Sequence, residues 1–187
     1  MLMRMLMRAL RDETDKLHRN NVRVHTIGES AALPKKVQDE LFDAIDRTKN
    51  NTGLNLLLAL SYSGRWDLTK AMKDIALQVQ RGNISPATID DQLICRYLST
   101  KSVPDPDLLI RTSGEFRISN FLLWQLAYSE IVISNCFWPD FRRAELYDAI
   151  RSYQQRERRF GMVSEQIRPD KPASSLVGKF FKSVSGI

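Results

Sequence analysis

Pro106-Asp107-Leu108-Leu109-Ile110-Arg111-Thr112-Ser113-Gly114-Glu115-Phe116-Arg117-Ile118-Ser119-Asn120-Phe121 is the stretch whose reading decides the fold. Leu108-Leu109-Ile110 is the apolar run of a strand covered on both faces, as in a parallel sheet. A turn with two arginines and several hydroxyls follows. Ser119-Asn120 then offers N-cap oxygens ahead of Phe121-Leu122-Leu123-Trp124-Gln125-Leu126-Ala127-Tyr128, a predicted helix. In open α/β sheets, ligands sit beyond the carboxyl ends of strands, where helix N-termini present free N–H groups. Two fixed cations at that place predict a site for a multiply charged anion, most simply a phosphate or pyrophosphate.

Outward from this stretch the same grammar repeats. Residues 1–19 read as a helix with Leu6, Leu10 and Leu17 on one face, starting without a cap. Val22–Ile27 alternates like a strand and ends at Gly28. Pro34 opens a helix to about Thr48, with Val37, Leu41, Ala44 and Ile45 on one stripe. Leu54–Tyr62 reads as a long apolar strand, and Ser63-Gly64 turns the chain into a helix over Trp66–Gln80. Ser85-Pro86 predicts another helix to about Leu98, with Ile89, Leu93 and Tyr97 as its face. A short strand at Ile131–Ser134 and a charged helix over Ala144–Arg158 close the pattern. Strands alternating with helices predict an α/β fold, a mostly parallel sheet with helices on both faces. Residues 162–187 turn to Ser, Pro, Lys and Gly around a small apolar island, and predict a flexible tail with a weak membrane-surface contact.

Composition narrows the function. The 187 residues suit one α/β domain, and the apolar fraction of 43% is that of a globular protein. A net charge of +6 suits phosphorylated metabolites, anionic lipid or nucleic acid. No RNP-type aromatic motif, recognition-helix signature or zinc-finger spacing accompanies the charge, so nucleic acid is not the expected partner. Cys95 and Cys136 predict free thiols in a reducing cytoplasm. His18 and His25 are too few for a histidine–cysteine metal site or a nucleophile–histidine relay. No window approaches the length of a membrane span.

Arg111 and Arg117 are the leading candidates, since guanidinium forks match phosphate oxygens bidentately. Two surface arginines flanking a turn is the bland alternative. Glu130 would close the helix that Asn120 opens, where the helix dipole opposes an acid. A Mg²⁺ shared with a pyrophosphate would compensate it, and a salt-bridged glutamate is the other reading. Tyr62-Ser63-Gly64-Arg65-Trp66-Asp67 repeats the strand–turn–helix grammar, with Trp66 as core and Arg65 and Asp67 as surface charges in its plain reading. Asp140 is expected to cap the last helix with Trp138 packed beneath it. Arg156-Glu157-Arg158-Arg159-Phe160-Gly161 reads as a solvated helix end.

Taken together, Ile110–Gln125, Ala127-Tyr128-Ser129-Glu130, Trp138-Pro139-Asp140-Phe141 and Arg156–Gly161 closely resemble the cis-prenyltransferases, the family of bacterial undecaprenyl pyrophosphate synthases. His18–Arg23 and Ser61–Asp67 support the likeness, which runs over residues 1–161 in the family's order. It implies condensation of isopentenyl pyrophosphate onto an allylic pyrophosphate such as farnesyl pyrophosphate, with cis geometry. The product would be a long polyprenyl pyrophosphate, undecaprenyl pyrophosphate for the cell-wall lipid carrier. By position, Arg111, Arg117 and Ser119 would bind the pyrophosphate of isopentenyl pyrophosphate, and Glu130 would ligate Mg²⁺ across a homodimer interface. Arg159 and Gly161 match an Arg-x-Gly element that reaches the neighbouring subunit's site in a homodimer. A cytoplasmic enzyme with a peripheral membrane contact for product release is implied.

The family's Asp-Gly-Asn-Gly-Arg-Trp-type loop and its Ser-Glu-Asn-Trp-type segment are absent from these residues. The expectation is therefore a partial cis-prenyltransferase domain over 1–161, lacking amino-terminal strands and the catalytic aspartate, with no turnover of its own. Two alternatives are a non-catalytic partner of a complete homologue and a generic basic phosphate-binding module.

Overall fold

The computed structural model describes residues 2–156. Along the chain run α1 (Leu2–Arg19), β1 (Arg23–Ile27), α2 (Lys35–Thr48), β2 (Asn55–Ala59), α3 (Gly64–Gln80), α4 (Asp91–Tyr97), β3 (Leu108–Arg111), β4 (Glu130–Ile133) and α5 (Arg143–Gln154). Short 3-10 turns lie at Ser30–Ala32, Pro86–Thr88 and Trp138–Asp140. The class is α/β with parallel strands, as the alternation predicted. Among the described residues the strands form two separate parallel pairs rather than one continuous sheet. β1 lies on β2 with Arg23 opposite Asn55 and Ile27 opposite Ala59. β3 lies on β4 with Leu108 opposite Glu130 and Arg111 opposite Ile133.

The first pair is a β–α–β unit whose crossover helix buries the predicted stripe. Val37, Leu41 and Ala44 of α2 meet Leu10 of α1 and Leu33, with Leu6, Leu58 and Leu60 packed at the margin. Leu41 is fully buried. Burying a leucine side chain of this kind contributes about 1.5–3 kcal/mol. Thr48, at the end of α2, joins helix to sheet: its hydroxyl donates to the Ala44 carbonyl at 2.8 Å and accepts from the Val24 N–H at 3.0 Å. The expected stripe residue Ile45 sits at the edge of this core.

The second pair departs from expectation in several places. Residues of β3 are half-buried, not covered on both faces. No helix forms from Phe121. The segment 119–128 is a chain of turns, because Ser119, Asn120 and Leu122 take φ of 49°, 62° and 44°. Left-handed residues cannot enter a right-handed helix. The apolar run of the correct length misled the sequence reading. Asn120 does cap a helix, but a different one: its carbonyl accepts from the Gly64 N–H at 2.7 Å and its Oδ1 from the Arg65 N–H at 2.9 Å. Asn120 thereby satisfies orphan donors of α3 alongside that helix's own N-cap, Ser63.

Smaller corrections follow the same logic. Pro86 starts only a 3-10 turn, and Asp90 is the true cap of α4, accepting from the Leu93 N–H at 2.7 Å. Asp140 closes a 3-10 turn instead of capping α5. The Arg142 N–H at the start of α5 is taken by the Glu145 carboxylate at 2.8 Å, and such backbone donors hold that carboxyl below the usual range. Trp138 is 72% exposed and stacks on Phe141, so it is no buried support. Cys95 and Cys136 are free, as expected. The predicted tail over 162–187 lies outside the described residues.

Candidate functional site

β3 delivers Arg111 as its last residue, and the chain then folds back across the end of β4. The Ser113 N–H donates to the Cys136 carbonyl and the Gly114 N–H to the Ser134 carbonyl, each at 2.9 Å. Ser113 and Gly114 both sit in the left-handed region, at φ 68° and 67°. That geometry is cheap only for glycine, and it makes the turn tight enough to swing Phe116, Arg117 and Ile118 back over the strand ends. They close a cleft of about 770 Å³ with Arg111, β4 residues Ile131–Ile133, and Ser152 and Arg156 of the α5 end. The cleft floor is apolar and its charges are arginines.

The electrostatics are unbalanced toward cations. Arg111 Nε is buried and has no hydrogen-bond partner among the described residues. A buried unsatisfied donor costs roughly 1–3 kcal/mol, more when charged, so Arg111 Nε is left in want of an acceptor. Arg117 pairs with Glu115 at 2.8 Å, but that pair is largely exposed and easily exchanged. Arg156 Nη1 donates to Glu130 Oε2 at 2.7 Å. An anion with several oxygens could take donors from all three arginines while its substituent lay along the apolar floor.

The sequence-predicted residues divide clearly. Arg111 and Arg117 converge on one cleft, and Glu130 stands beside it through Arg156. Ser119 is exposed, in a left-handed conformation, and is not part of the cleft lining. Arg159 and Gly161 lie outside the described residues. Glu130 opens β4 instead of ending a helix, so no helix dipole opposes its charge. Arg156 was read as part of a solvated helix end, and nothing in its spacing signalled the cleft.

A second residue also escaped the sequence reading. Asp67, taken as a surface charge, is 1% exposed. It accepts from the Ser99 N–H at 2.9 Å and from the Tyr62 hydroxyl at 3.1 Å, with the Gln125 amide at 3.5 Å. Gln125 donates on to Thr100 Oγ1 at 2.9 Å. This buried knot, with Tyr62 edge-on to Phe121, fixes the 119–125 segment and so the far end of the arginine turn. Burial, and then the Asp67 charge beside it, push the Tyr62 phenol far above its usual range. An acid in the first turn of a helix is the only signal the sequence offered for it.

For a metal, the described residues offer Glu130 and no cluster of three or more His, Cys, Asp or Glu side chains. One carboxylate suits a Mg²⁺ held mainly by phosphate oxygens and water, and does not suit an all-protein cage. Among the described residues no helix is long and apolar enough to cross a membrane.

A prenyltransferase family model described as "Putative undecaprenyl diphosphate synthase" matches residues 1–161. An isoprenyl transferase of Chlorobaculum tepidum is 55% identical over 170 residues, covering 91% of this chain and 64% of that protein. The Ditrans,polycis-undecaprenyl-diphosphate synthase ((2E,6E)-farnesyl-diphosphate specific) of Aliivibrio fischeri is 44% identical over 167 residues, covering 89% of this chain and 65% of that protein. The chain thus spans just under two thirds of the length of these relatives. Among solved structures, lavandulyl diphosphate synthase from Lavandula x intermedia in complex with dimethylallyl diphosphate matches with a TM-score of 0.84 and 37% identity. That match covers 86% of this chain and 70% of the other.

Proposed function

The chain belongs to the prenyltransferase family of undecaprenyl diphosphate synthases, and on that premise we propose that its arginine cleft binds the pyrophosphate of isopentenyl pyrophosphate for cis-prenyl chain elongation. The unpartnered, buried Arg111 Nε on a cleft shared with Arg117 and Arg156 carries this reading. The apolar floor from β4 suits the five-carbon isopentenyl group. Ser119 would join only after the left-handed turn that holds it rearranges.

In the condensation, the allylic C–O bond breaks with departure of pyrophosphate. The isopentenyl double bond attacks the allylic carbon, and a proton leaves the new chain to set the cis alkene. Arg111 and Arg117 hold the isopentenyl headgroup still, which converts encounter into a positioned reaction. Where Mg²⁺ is bound, it would neutralise charge on phosphate oxygens, with Glu130 as one ligand. We further propose farnesyl pyrophosphate as the allylic partner, undecaprenyl pyrophosphate for a cell-wall lipid carrier as product, and a homodimer in which Arg159 and Gly161 reach the neighbouring site. The setting would be cytoplasmic, with peripheral membrane contact for product release. The decisive test of the cleft is binding.

Titration calorimetry with isopentenyl pyrophosphate should show saturable binding, and isopentenyl alcohol should show none. Arg111→Ala should weaken that binding about tenfold or more, and Arg117→Ala less, as expected for charge-assisted hydrogen bonds of about 1.5–3 kcal/mol. Equal affinity of Arg111→Ala and the parent protein would overturn the assignment.

A further inference from the structure

Arg156 has two claims on it, and they compete. Its Nη1 grips Glu130 Oε2 at 2.7 Å, with the two side chains 42% and 27% exposed. The same residue lines the cleft that Arg111 and Arg117 share. The backbones of both partners are anchored: the Glu130 N–H donates to the Asp107 carbonyl at 3.0 Å, and the Arg156 N–H to the Tyr153 carbonyl at 3.2 Å. Exchange between partners would therefore be a side-chain event. A guanidinium carries five donors in a fork, enough to hold a carboxylate and still present N–H groups to a second anion.

Glu130 at the rim of a site for a polyanion is otherwise a liability, since its charge repels the ligand. We propose that Arg156 is a positioning residue, a built-in counter-ion that masks Glu130 while a pyrophosphate enters, and that yields Glu130 to a divalent cation once the pyrophosphate has arrived. The proposal rests on the cleft being the pyrophosphate site. It adds an order of events: anion first against three arginines, then cation against a carboxylate released by one of them. Among the described residues, Glu115 is held by Arg117, and Arg151 pairs with Asp148 within α5.

The test is the affinity for isopentenyl pyrophosphate, measured by calorimetry in EDTA and again in saturating Mg²⁺. Arg156→Gln should weaken binding about thirtyfold in EDTA, where a carboxylate is unmasked as a donor is lost, and only about threefold in Mg²⁺, where the cation takes the carboxylate and the missing donor alone is felt. Arg156→Gln combined with Glu130→Gln should recover most of the loss seen in EDTA. Arg156→Lys keeps the charge, should hold affinity within about threefold, and covers the case in which the glutamine variant folds poorly. Equal losses with and without Mg²⁺, or no recovery in the double variant, would overturn the counter-ion role while leaving the cleft assignment intact. A parent protein whose affinity is untouched by Arg111→Ala would instead bring down the cleft reading.

Discussion

The β1–β2 unit and the β3–β4 unit are both parallel pairs of short strands, yet they spend their side chains in opposite ways. The first buries a leucine-rich stripe under α1 and α2 and satisfies its polar groups locally, as Thr48 does between α2 and β1. The second connects its strands through eighteen or so residues of turns, keeps β3 half-buried, and places four non-glycine residues at positive φ between 113 and 122. Residues held in such conformations cost of order 1 kcal/mol or more each and persist where the surroundings over-determine them. One unit supplies stability. The other spends part of it on holding arginines at the end of a strand.

Substitutions can break that contrast, beginning with the largest effect. Leu41→Ala removes a fully buried side chain of the first unit and should cost about 2–5 kcal/mol in denaturant unfolding. The isopentenyl pyrophosphate affinity of the folded fraction should not change. A parallel loss of affinity would show that the two units are not separable.

Gly64→Ala attacks the seam between α3 and the turn segment. A Cβ there would lie 2.7 Å from Leu123 Cγ and 2.9 Å from Leu123 N, with backbone on one side and little room to give. Overpacking of this kind should cost about 1–3 kcal/mol and, unlike Leu41→Ala, should also weaken ligand binding. Denaturant midpoint and calorimetry on the same preparation separate the two outcomes.

Arg111→Met should do the reverse. It keeps an aliphatic stem and deletes the buried, unsatisfied Nε, so stability should hold or rise by up to about 1 kcal/mol while pyrophosphate binding is lost. A clear loss of stability would mean that Arg111 is a structural residue.

The smallest effect is a pH limb. Because the Tyr62 phenol is raised in the folded state, its contribution is complete below the unfolded value of about 10 and is lost as pH climbs beyond it. Stability measured from pH 8 to 11 should fall at the top of the range. In Tyr62→Phe that fall should flatten, at a cost near 1 kcal/mol at neutral pH for the hydrogen bond to Asp67.

Period and punctuation were enough for the first unit. The stripe Val37, Leu41, Ala44 has helical spacing, and the alternation of 22–27 has strand spacing, so local chemistry and final burial agree. They also placed Arg111 and Arg117 past the carboxyl end of a strand, and both line one cleft. The same rules failed from Phe121 to Tyr128. Seven of those eight residues are apolar or aromatic, and such a run is written alike for a helix and for a chain of turns buried against other elements. Asn120, expected to cap a helix from Phe121, instead caps α3, fifty-five residues away in sequence.

What the chain's own order of residues determined is the α/β class, the parallel strands, the core stripe of α2 and the two arginines past β3. Each depends on neighbours within a turn or two, which a linear pattern records. Only the tertiary structure decided that Asp67 is buried, that Asn120 caps a distant helix, and that Arg156 holds Glu130 at the mouth of the arginine cleft. Those outcomes depend on which segments meet in space, and desolvation and charge pairing are properties of that meeting.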